Sequence, residues 1–268
     1  MRSTQQSVPN GGVVALRFPA MTAAVLHSDE LLVAIDKPSG LSLATPRSAP
    51  EGAIQRLLEA IGEEGCVRAG LDPLRPPLLV HRLDVGTSGV VVLARDAIAH
   101  RALAGEIAAG RATKVYLALV WGRPKPRAGA FEQPLGPDRA DRRRMMVDAA
   151  GRAALTRYLN VAVTAGKLPS LTLVRLEPKT GRTHQIRVHL AHAGHPIVGD
   201  DLYGGPRHRG VADAALRALL APRWTLLHAA SLSILGRELT APLPAPFAAA
   251  LRALSLSGEP DRDHSPRG

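Results

Sequence analysis

The chain has 268 residues, a formal charge of +11 and a pI near 10.9. This length is sufficient for one well-packed domain, and the excess of basic residues favours a polyanionic partner over a neutral or acidic one. A single cysteine, Cys66, excludes an internal disulfide and a cysteine-based metal site. The segment GGVVALRFPAM is interrupted by Arg17 and Pro19 and is too short for a membrane span or a signal peptide, so we expect a cytoplasmic protein with no membrane partner.

Composition divides the chain into three parts. Residues 1–20 are polar at their start and are predicted to be a flexible lead-in, and residues 256–268 are polar and charged and are predicted to be a disordered tail. Residues 21–255 contain no repeat of solenoid period and no composition break that demands two folding units. We therefore expect one folded domain and a monomer.

Two apolar runs, at residues 23–26 and 31–35, predict a β-hairpin with a polar turn at the start of the domain. The sequence DKPSGL ends the second strand, because Pro38 and Gly40 turn the chain. Lys37 begins this turn and has two open interpretations, a lysine that faces a functional cleft or an ordinary surface lysine. A helix is predicted next, with an apolar stripe formed by Ile54, Leu57, Leu58 and Ile61.

The string HRLDVGTSGVVVLARD, residues 81–96, joins a charged, turn-rich half to an apolar half. Residues 90–93 are apolar without helical spacing, which predicts a strand buried on both faces. Residues 86–89 predict a tight turn before this strand, so the preceding Asp84 is expected at the mouth of a sheet. Taken alone, Asp84 is typical of an aspartate that caps a turn.

A helix capped by Asp96 is predicted to run to Gly110, and the segment KVYLALVWG, residues 114–122, predicts a strand after it. The alternation of this strand places Tyr116 on the face opposite to Leu117. The chain has only three tyrosines, and a ring on a face of smaller side chains can serve as a platform on which a base stacks. Packing in the core is the alternative interpretation.

Residues 123–152 are rich in proline, glycine and arginine, which is typical of a solvated loop. Their arginines are also candidate contacts for phosphate groups, and the nearby methionines for unstacked bases. We include Arg143 among the candidate site residues, although the sequence does not distinguish it from its neighbours. These neighbours are Arg139, Arg142 and Arg144.

A second charged string, EPKTGRTHQIRVHLAHAGHPIVGDDLYGG, covers residues 177–205. Its Thr-Gly turn is predicted to lead into a strand in which Gln185 and Arg187 share one face and His184 lies on the other. On this prediction His184 and His189 lie on opposite faces, and no carboxylate completes a zinc motif, so we expect no metal. After this string the sequence predicts a helix, a strand in WTLLHAASLSIL and a last helix that begins at Pro246.

Several of these strings resemble, in the same order, the motifs of the RluA-type pseudouridine synthases, which isomerise uridine in RNA. They are KPxGL, HRLD followed by TSG, KxYxALV, GRTHQIR and a strand centred on LHA. The resemblance spans roughly residues 22–254 and implies an α+β fold with a long, mixed, mostly antiparallel sheet and flanking helices and loops. Many members carry an N-terminal RNA-binding module of the alpha-L type, for which we expect no room here.

The resemblance also implies roles for individual residues. Asp84 would be the catalytic carboxylate, and Arg187 would pair with it, which favours the ionised acid and fixes its rotamer. Tyr116 would stack on the target base, and Arg82 would contact the RNA near the displaced base. The other positions expected to contact RNA or the uridine are Leu227, with Leu226 as its competitor, His81, Thr87, Lys37, Gln185 and Arg143.

The implied activity is the isomerisation of a flipped-out uridine in ribosomal RNA, transfer RNA or both, without a cofactor or metal. Asp84 would act as a nucleophile at uracil C6 or at the ribose anomeric carbon, or as the base that opens a glycal route. Two alternatives remain open at this point. They are a catalytically silent RNA-binding or ribosome-assembly factor, and an N-glycoside hydrolase that uses Asp84 with a second acid such as Glu177.

Overall fold

The computed structural model describes residues 22–44, 52–72, 74–165 and 169–256. These residues form a ten-stranded sheet and a separate pair of short strands. Eight strands follow one another across the large sheet in the spatial order β1 (Ala24–Ser28), β2 (Leu32–Lys37), β4 (Ser88–Ala94), β11 (Leu227–Ile234), β5 (Thr113–Trp121), β10 (Leu171–Pro178), β9 (Thr156–Val163) and β6 (Ala128–Phe131). The other two are β3 (Leu78–Leu79), which pairs with β4, and β12 (Arg237–Thr240), which pairs with β11.

The strand pairs of this sheet are antiparallel except one, in which β11 runs parallel to β4. The helices of the described residues lie on both faces of the sheet. They are α1 (Gly52–Arg68), α2 (Ala97–Ala108), α3 (Gln185–His192), α4 (Ala214–Leu219) and α5 (Ala245–Ala253), with a 3-10 helix at Arg207–Gly210. The predicted α+β class with a mixed, mostly antiparallel sheet is confirmed. The predicted cap is also present, since the Asp96 carboxylate accepts hydrogen bonds from two backbone amides of the first turn of α2.

Strand β4 is the centre of one half of the sheet, and each of its seven residues is buried. Leu93 belongs to an apolar cluster with Leu57 of α1, whereas Val92 belongs to a cluster on the other face with Leu103 of α2. Burying one such side chain contributes about 1.5–3 kcal/mol relative to leaving it exposed. Packing on both faces therefore fixes β4 firmly, and with it the loop that precedes β4.

The other half of the sheet is built around β5 and β10 in the same way. Leu119 packs with Phe247 of α5 on one face, whereas Val120 packs with Ile186 of α3 on the other. Tyr116 of β5 contacts both the α1 cluster and the α3 cluster. It therefore lies where the two halves of the structure meet on one face of the sheet.

The parallel pairing of β4 with β11 explains the glycine of the TSG motif. Gly89 pairs with Ala229, and its φ of 111° lies in a region that side-chain-bearing residues rarely adopt. A β carbon at Gly89 would lie 2.2 Å from the Ala229 carbonyl oxygen, so only glycine fits. Beside it, Ser88 Oγ lies 2.9 Å from Nδ1 of the fully buried His228. These contacts join the TSG motif to the LHA strand.

One predicted strand is a helix in the structure. Residues 185–192 form α3, which the chain enters through His184 with a left-handed φ of 55°. Two buried polar side chains hold α3 on β9, because Gln185 Nε2 donates to Thr156 Oγ1 at 3.0 Å and His189 Nδ1 lies 2.9 Å from the same oxygen. The alternating pattern was misleading because the polar side chains of Gln185 and His189 are buried and hydrogen-bonded to another strand.

The arginine-rich segment is also more regular than the predicted loop, since it contains β6, β7 (Leu135–Pro137) and β8 (Met145–Val147), of which the last two form the separate pair. The predicted lead-in, residues 1–20, lies outside the described residues. So does the predicted tail apart from Leu256, which is buried in the core. Within the described ranges, no helix combines the length and the apolar character that crossing a membrane requires.

Candidate active site

Two adjoining clefts open at the loop between β3 and β4. The first has a volume of about 320 Å³ and the second of about 450 Å³. Both are lined by the HRLD segment and by the segment that leads into α3. The residues that line both clefts are Arg82, Leu83, Asp84, Thr183, His184 and Arg187. The structure thus brings the two charged strings of the sequence to one place.

Asp84 is presented by a tight turn. The Thr87 amide donates to the Asp84 carbonyl oxygen at 3.0 Å, which closes a turn over residues 84–87, two residues earlier than predicted. The Asp84 side chain is 29% exposed, so a ligand in either cleft can reach its carboxylate. Asp84 Oδ2 accepts a hydrogen bond from Arg187 Nη1 at 3.2 Å. The structure therefore places Arg187 where the motif predicted it.

Arg187 is held mainly by a residue that the sequence analysis did not identify. Its Nε and Nη2 donate to the two carboxylate oxygens of Asp200 at 2.7 and 2.8 Å. The side chains of Asp200 and Arg187 are only 1% and 12% exposed, so this is a buried double hydrogen bond that leaves Nη1 for Asp84. Burial opposes the charge of Arg187, but the hydrogen bonds and charge of Asp200, and then those of Asp84, raise the pKa of its guanidinium. Arg187 is therefore a fixed cation beside Asp84.

Tyr203 connects this pair to His184. The guanidinium carbon of Arg187 lies 5.0 Å from the centre of the Tyr203 ring. The Tyr203 hydroxyl accepts a hydrogen bond from the Met145 amide at 2.7 Å and lies 2.8 Å from His184 Nδ1, within hydrogen-bond distance. The other ring nitrogen of His184, Nε2, lies 3.8 Å from Asp84 Oδ2. Burial is the largest cause that lowers the pKa of His184, which favours the neutral ring.

Tyr116 and Leu227 line the first cleft from the side of the sheet. Leu226, the competitor of Leu227, belongs to the core cluster around α5 and lines neither cleft. Burial, and then the charge of Asp84, raises the pKa of Tyr116, so its phenol stays protonated. One cleft therefore combines a neutral aromatic ring, an aliphatic side chain and the carboxylate.

The other residues of the HRLD string differ in their access to the clefts. Arg82 is exposed and lines both. His81 lines the first cleft, and its Nε2 accepts a hydrogen bond from the Val92 amide at 3.2 Å. Burial, and then the charge of Lys114, lowers the pKa of His81 to about 4, so this ring is neutral near pH 7. Thr87 also borders the first cleft but is only 3% exposed.

Lys37 lies neither in a cleft nor on the surface. Its side chain is completely buried, and the ammonium donates to the carbonyl oxygens of Pro38 at 2.8 Å, Leu41 at 3.1 Å and Val85 at 3.4 Å. This burial contradicts the prediction that Lys37 contacts RNA or the uridine directly. The bond to Val85 instead supports the turn that carries Asp84.

We expect Lys37 to make the stability of the protein depend on pH. Burial, opposed by the charges of Asp84 and Asp36, lowers the pKa of Lys37 to about 7, whereas a lysine of an unfolded chain has a pKa of about 10.4. Between these values the unfolded chain binds more protons than the folded protein, so the unfolding free energy should rise with pH by at most about 1.4 kcal/mol per unit. Below about pH 7 both states hold the proton, and this contribution should be constant.

Denaturant unfolding of the wild type and of Lys37→Met, from about pH 6 to about pH 10, measures this effect. The variant should lack the rise above about pH 7, because methionine does not titrate, so its stability relative to the wild type should fall from about pH 7 to about pH 10. Parallel pH profiles of the two proteins would contradict the lowered pKa.

Two further predicted contacts are engaged within the protein. Gln185 is 4% exposed, and its Oε1 accepts hydrogen bonds from Thr180 Oγ1 at 2.7 Å and from the Arg182 amide at 3.0 Å. Its Nε2 is bonded to β9, so Gln185 holds the start of α3, and Gln185 also lines the first cleft. Arg143 is exposed at the second cleft and donates two hydrogen bonds to Asp141, at 3.0 and 2.7 Å.

Comparison with known proteins agrees with this fold. The model of a family described as RNA pseudouridylate synthase matches residues 31–192. A protein of Chloroflexus aurantiacus named "Uncharacterized RNA pseudouridine synthase" is 41% identical over 225 residues, which is 82% of this chain and 65% of the relative. Ribosomal large subunit pseudouridine synthase D of Haemophilus ducreyi is 34% identical over 242 residues, which is 86% of this chain and 70% of that protein.

The solved structure of human RNA pseudouridylate synthase domain containing 4 is similar with a TM-score of 0.66 and 26% identity, covering 87% of this chain and 93% of that one. The chain belongs to the RNA pseudouridylate synthase family, in its RluA-type branch. This membership confirms the resemblance noted from the motifs. The chain spans about two thirds of the length of the two relatives described above.

Proposed function

We propose that this protein isomerises uridine to pseudouridine in RNA, with Asp84 as the catalytic carboxylate. The observation that carries the proposal is the cleft in which Asp84, held by Arg187, lies with Tyr116 and Leu227. A relative named for the ribosomal large subunit makes ribosomal RNA the first substrate to test, and transfer RNA the second. We further propose that the protein acts as a monomer in the cytoplasm.

The reaction changes which uracil atom is joined to the ribose and leaves the composition of the RNA unchanged. The bond between N1 and C1′ breaks, the uracil rotates within the cleft, and a bond forms between C5 and C1′. C5 loses a proton and N1 gains one. No electron and no external group is transferred. The reaction therefore requires a carboxylate, side chains that hold the detached base, and a site that excludes water.

The residues of the first cleft fit these needs. Asp84 can attack uracil C6 or C1′, or remove a ribose proton on a glycal route, and each route needs the carboxylate beside the nucleoside. Tyr116 offers a ring face for the uracil, with Leu227 as an apolar neighbour. The target uridine must leave its stack to reach Asp84, and the exposed Arg82 at the cleft mouth can fill the space that it leaves.

The hydrolase alternative needs a second acid beside Asp84. Glu177, the candidate from the sequence, forms an ion pair with Arg175 and another with Lys179 at 3.1 Å, and it lines neither cleft. An isomerase is therefore the better account of this site, since it needs one carboxylate and a held base.

The proposal is tested with unmodified transcripts of ribosomal and transfer RNA. The purified protein should convert one or a few uridines to pseudouridine, which chemical mapping by reverse transcription locates. RNA from cells with and without the gene should differ at the same positions. Release of free uracil, or binding to these transcripts without any pseudouridine, would contradict the proposal.

A further inference from the structure

Lys114 is a charged residue of the first cleft to which the proposed reaction gives no role. It lies two residues before Tyr116 on β5, and successive side chains of a strand alternate, so both lie on the same face of the sheet. Lys114 lines the first cleft together with Tyr116 and Asp84, and its side chain is partly buried. Its position is therefore inside the cleft that is proposed to hold the uridine.

The protein does not compensate the charge of Lys114. Among the residues that the structure describes, its ammonium has no hydrogen bond and no ion pair. Burial lowers the pKa of Lys114, and its charge contributes to the lowered pKa of His81 nearby. An ammonium that is partly shielded from water and has no partner in the protein is less favourable than a fully solvated one, so binding would be favoured for a ligand that places a negative oxygen beside it.

The other cations of this cleft are engaged differently. Arg187 is bonded to Asp200 and Asp84, and Arg182 Nε donates to the Ala153 carbonyl oxygen at 3.0 Å. Arg82 is exposed, so water solvates its guanidinium. Asp84 is the one carboxylate among the residues that line the first cleft, and Arg187 already pairs with it. Among these cations of the first cleft, Lys114 thus combines partial burial with an ammonium that can bind an anionic ligand.

We propose that Lys114 binds an anionic oxygen of the flipped nucleotide. This inference rests on the proposed function and assigns to its substrate a contact that the motifs did not. Two oxygens of the nucleotide have the required charge. One is a phosphate oxygen, and the other is the uracil oxygen that shares the electron pair left on N1 when the bond to C1′ breaks.

The test is Lys114→Met, with Lys179→Met as the matched control. Lys179 is an exposed lysine outside both clefts that pairs with Glu177, so the control removes the same charge from the surface. Three quantities are measured. The first is the melting temperature, and the second is the dissociation constant for RNA, for which each substitution is combined with Asp84→Asn so that no reaction occurs. The third is the rate of pseudouridine formation in a single turnover, with Asp84 intact.

Lys114→Met should melt at the same temperature as the control or higher, because it removes an uncompensated charge. If the oxygen belongs to a phosphate, RNA affinity should fall about tenfold. The slope of the logarithm of affinity against the logarithm of salt concentration should also decrease in magnitude by about one. If it belongs to the uracil, affinity should be kept and the single-turnover rate should fall by about 10²-fold. Either result supports the contact.

The inference is overturned if affinity and rate both stay within about twofold of the control, or if Lys114→Met melts well below it, which would assign Lys114 to folding. Failure of the proposed function is a distinct result, because the wild type itself would then form no pseudouridine. Lys114→Arg provides a further arm, since a retained charge should restore part of whichever quantity is lost.

Discussion

Asp84→Asn should lower pseudouridine formation by about 10³-fold or more while RNA still binds with nearly unchanged affinity. Asparagine has the volume of aspartate, but its amide is neither a nucleophile nor a base at neutral pH. The substitution should cost the fold little, since the side chain is 29% exposed and makes one ion-pair hydrogen bond, to Arg187, which keeps Asp200 as its other partner.

Single-turnover kinetics with an RNA substrate and a separate binding assay measure the two expected effects. Asp201→Asn is the matched control, because Asp201 is an exposed acid at the second cleft beside the same loops, and its loss should leave the rate nearly unchanged. If a clean preparation of Asp84→Asn retained turnover, Asp84 would have no part in the mechanism.

The positions of Asp84 and Tyr116 could be predicted from local sequence pattern, whereas their roles came only from the resemblance to the RluA-type family. The run at residues 90–93 is buried on both faces as predicted, and this burial fixes the preceding turn that presents Asp84. The alternation of β5 placed Tyr116 on the correct face. Where one strand or turn decides the position of a side chain, its pattern was sufficient.

The second charged string shows where local pattern is insufficient. A period of two fits residues 183–190, but the buried Gln185 and His189 are four residues apart and meet Thr156 from one side of a helix. Their partners lie about thirty residues earlier in the chain, and no periodicity reveals them. Gly194, with a φ of 84° just after the helix, was a signal for a helix end that the sequence did contain.

The residues that support the site were also not identified from the sequence, because their partners are distant in the chain. In the GDDLYGG segment, nothing local tells which of the adjacent Asp200 and Asp201 turns inward, although only Asp200 is buried against Arg187. Lys37 was expected in a cleft or on the surface because it begins a turn, and its complete burial is unusual for a lysine. Its three carbonyl partners come from the segment after β2 and from the turn after Asp84, and only the folded chain assembles them.

Arg187→Met should both unfold the protein more easily and remove its activity. The family motif implied only a pairing with Asp84, whereas the structure shows that Arg187 is also the charged partner of an almost completely buried Asp200. Removing one member of a buried ion pair leaves an uncompensated charge, which costs about 3–5 kcal/mol. Denaturant unfolding should show this loss, and the rate should fall because Asp84 loses the cation that orients it.

A double variant separates the two effects. In Arg187→Met with Asp200→Asn, the uncompensated carboxylate is replaced by a neutral amide whose oxygen can still accept the hydrogen bond that Asp200 receives from the Tyr203 amide at 3.2 Å. Most of the lost stability should return, since the buried charge is gone, but activity should not, because Asp84 still lacks its partner. A double variant that regained the wild-type rate would show that Arg187 acts only through stability. A single variant as stable as the wild type would show that Asp200 does not depend on it.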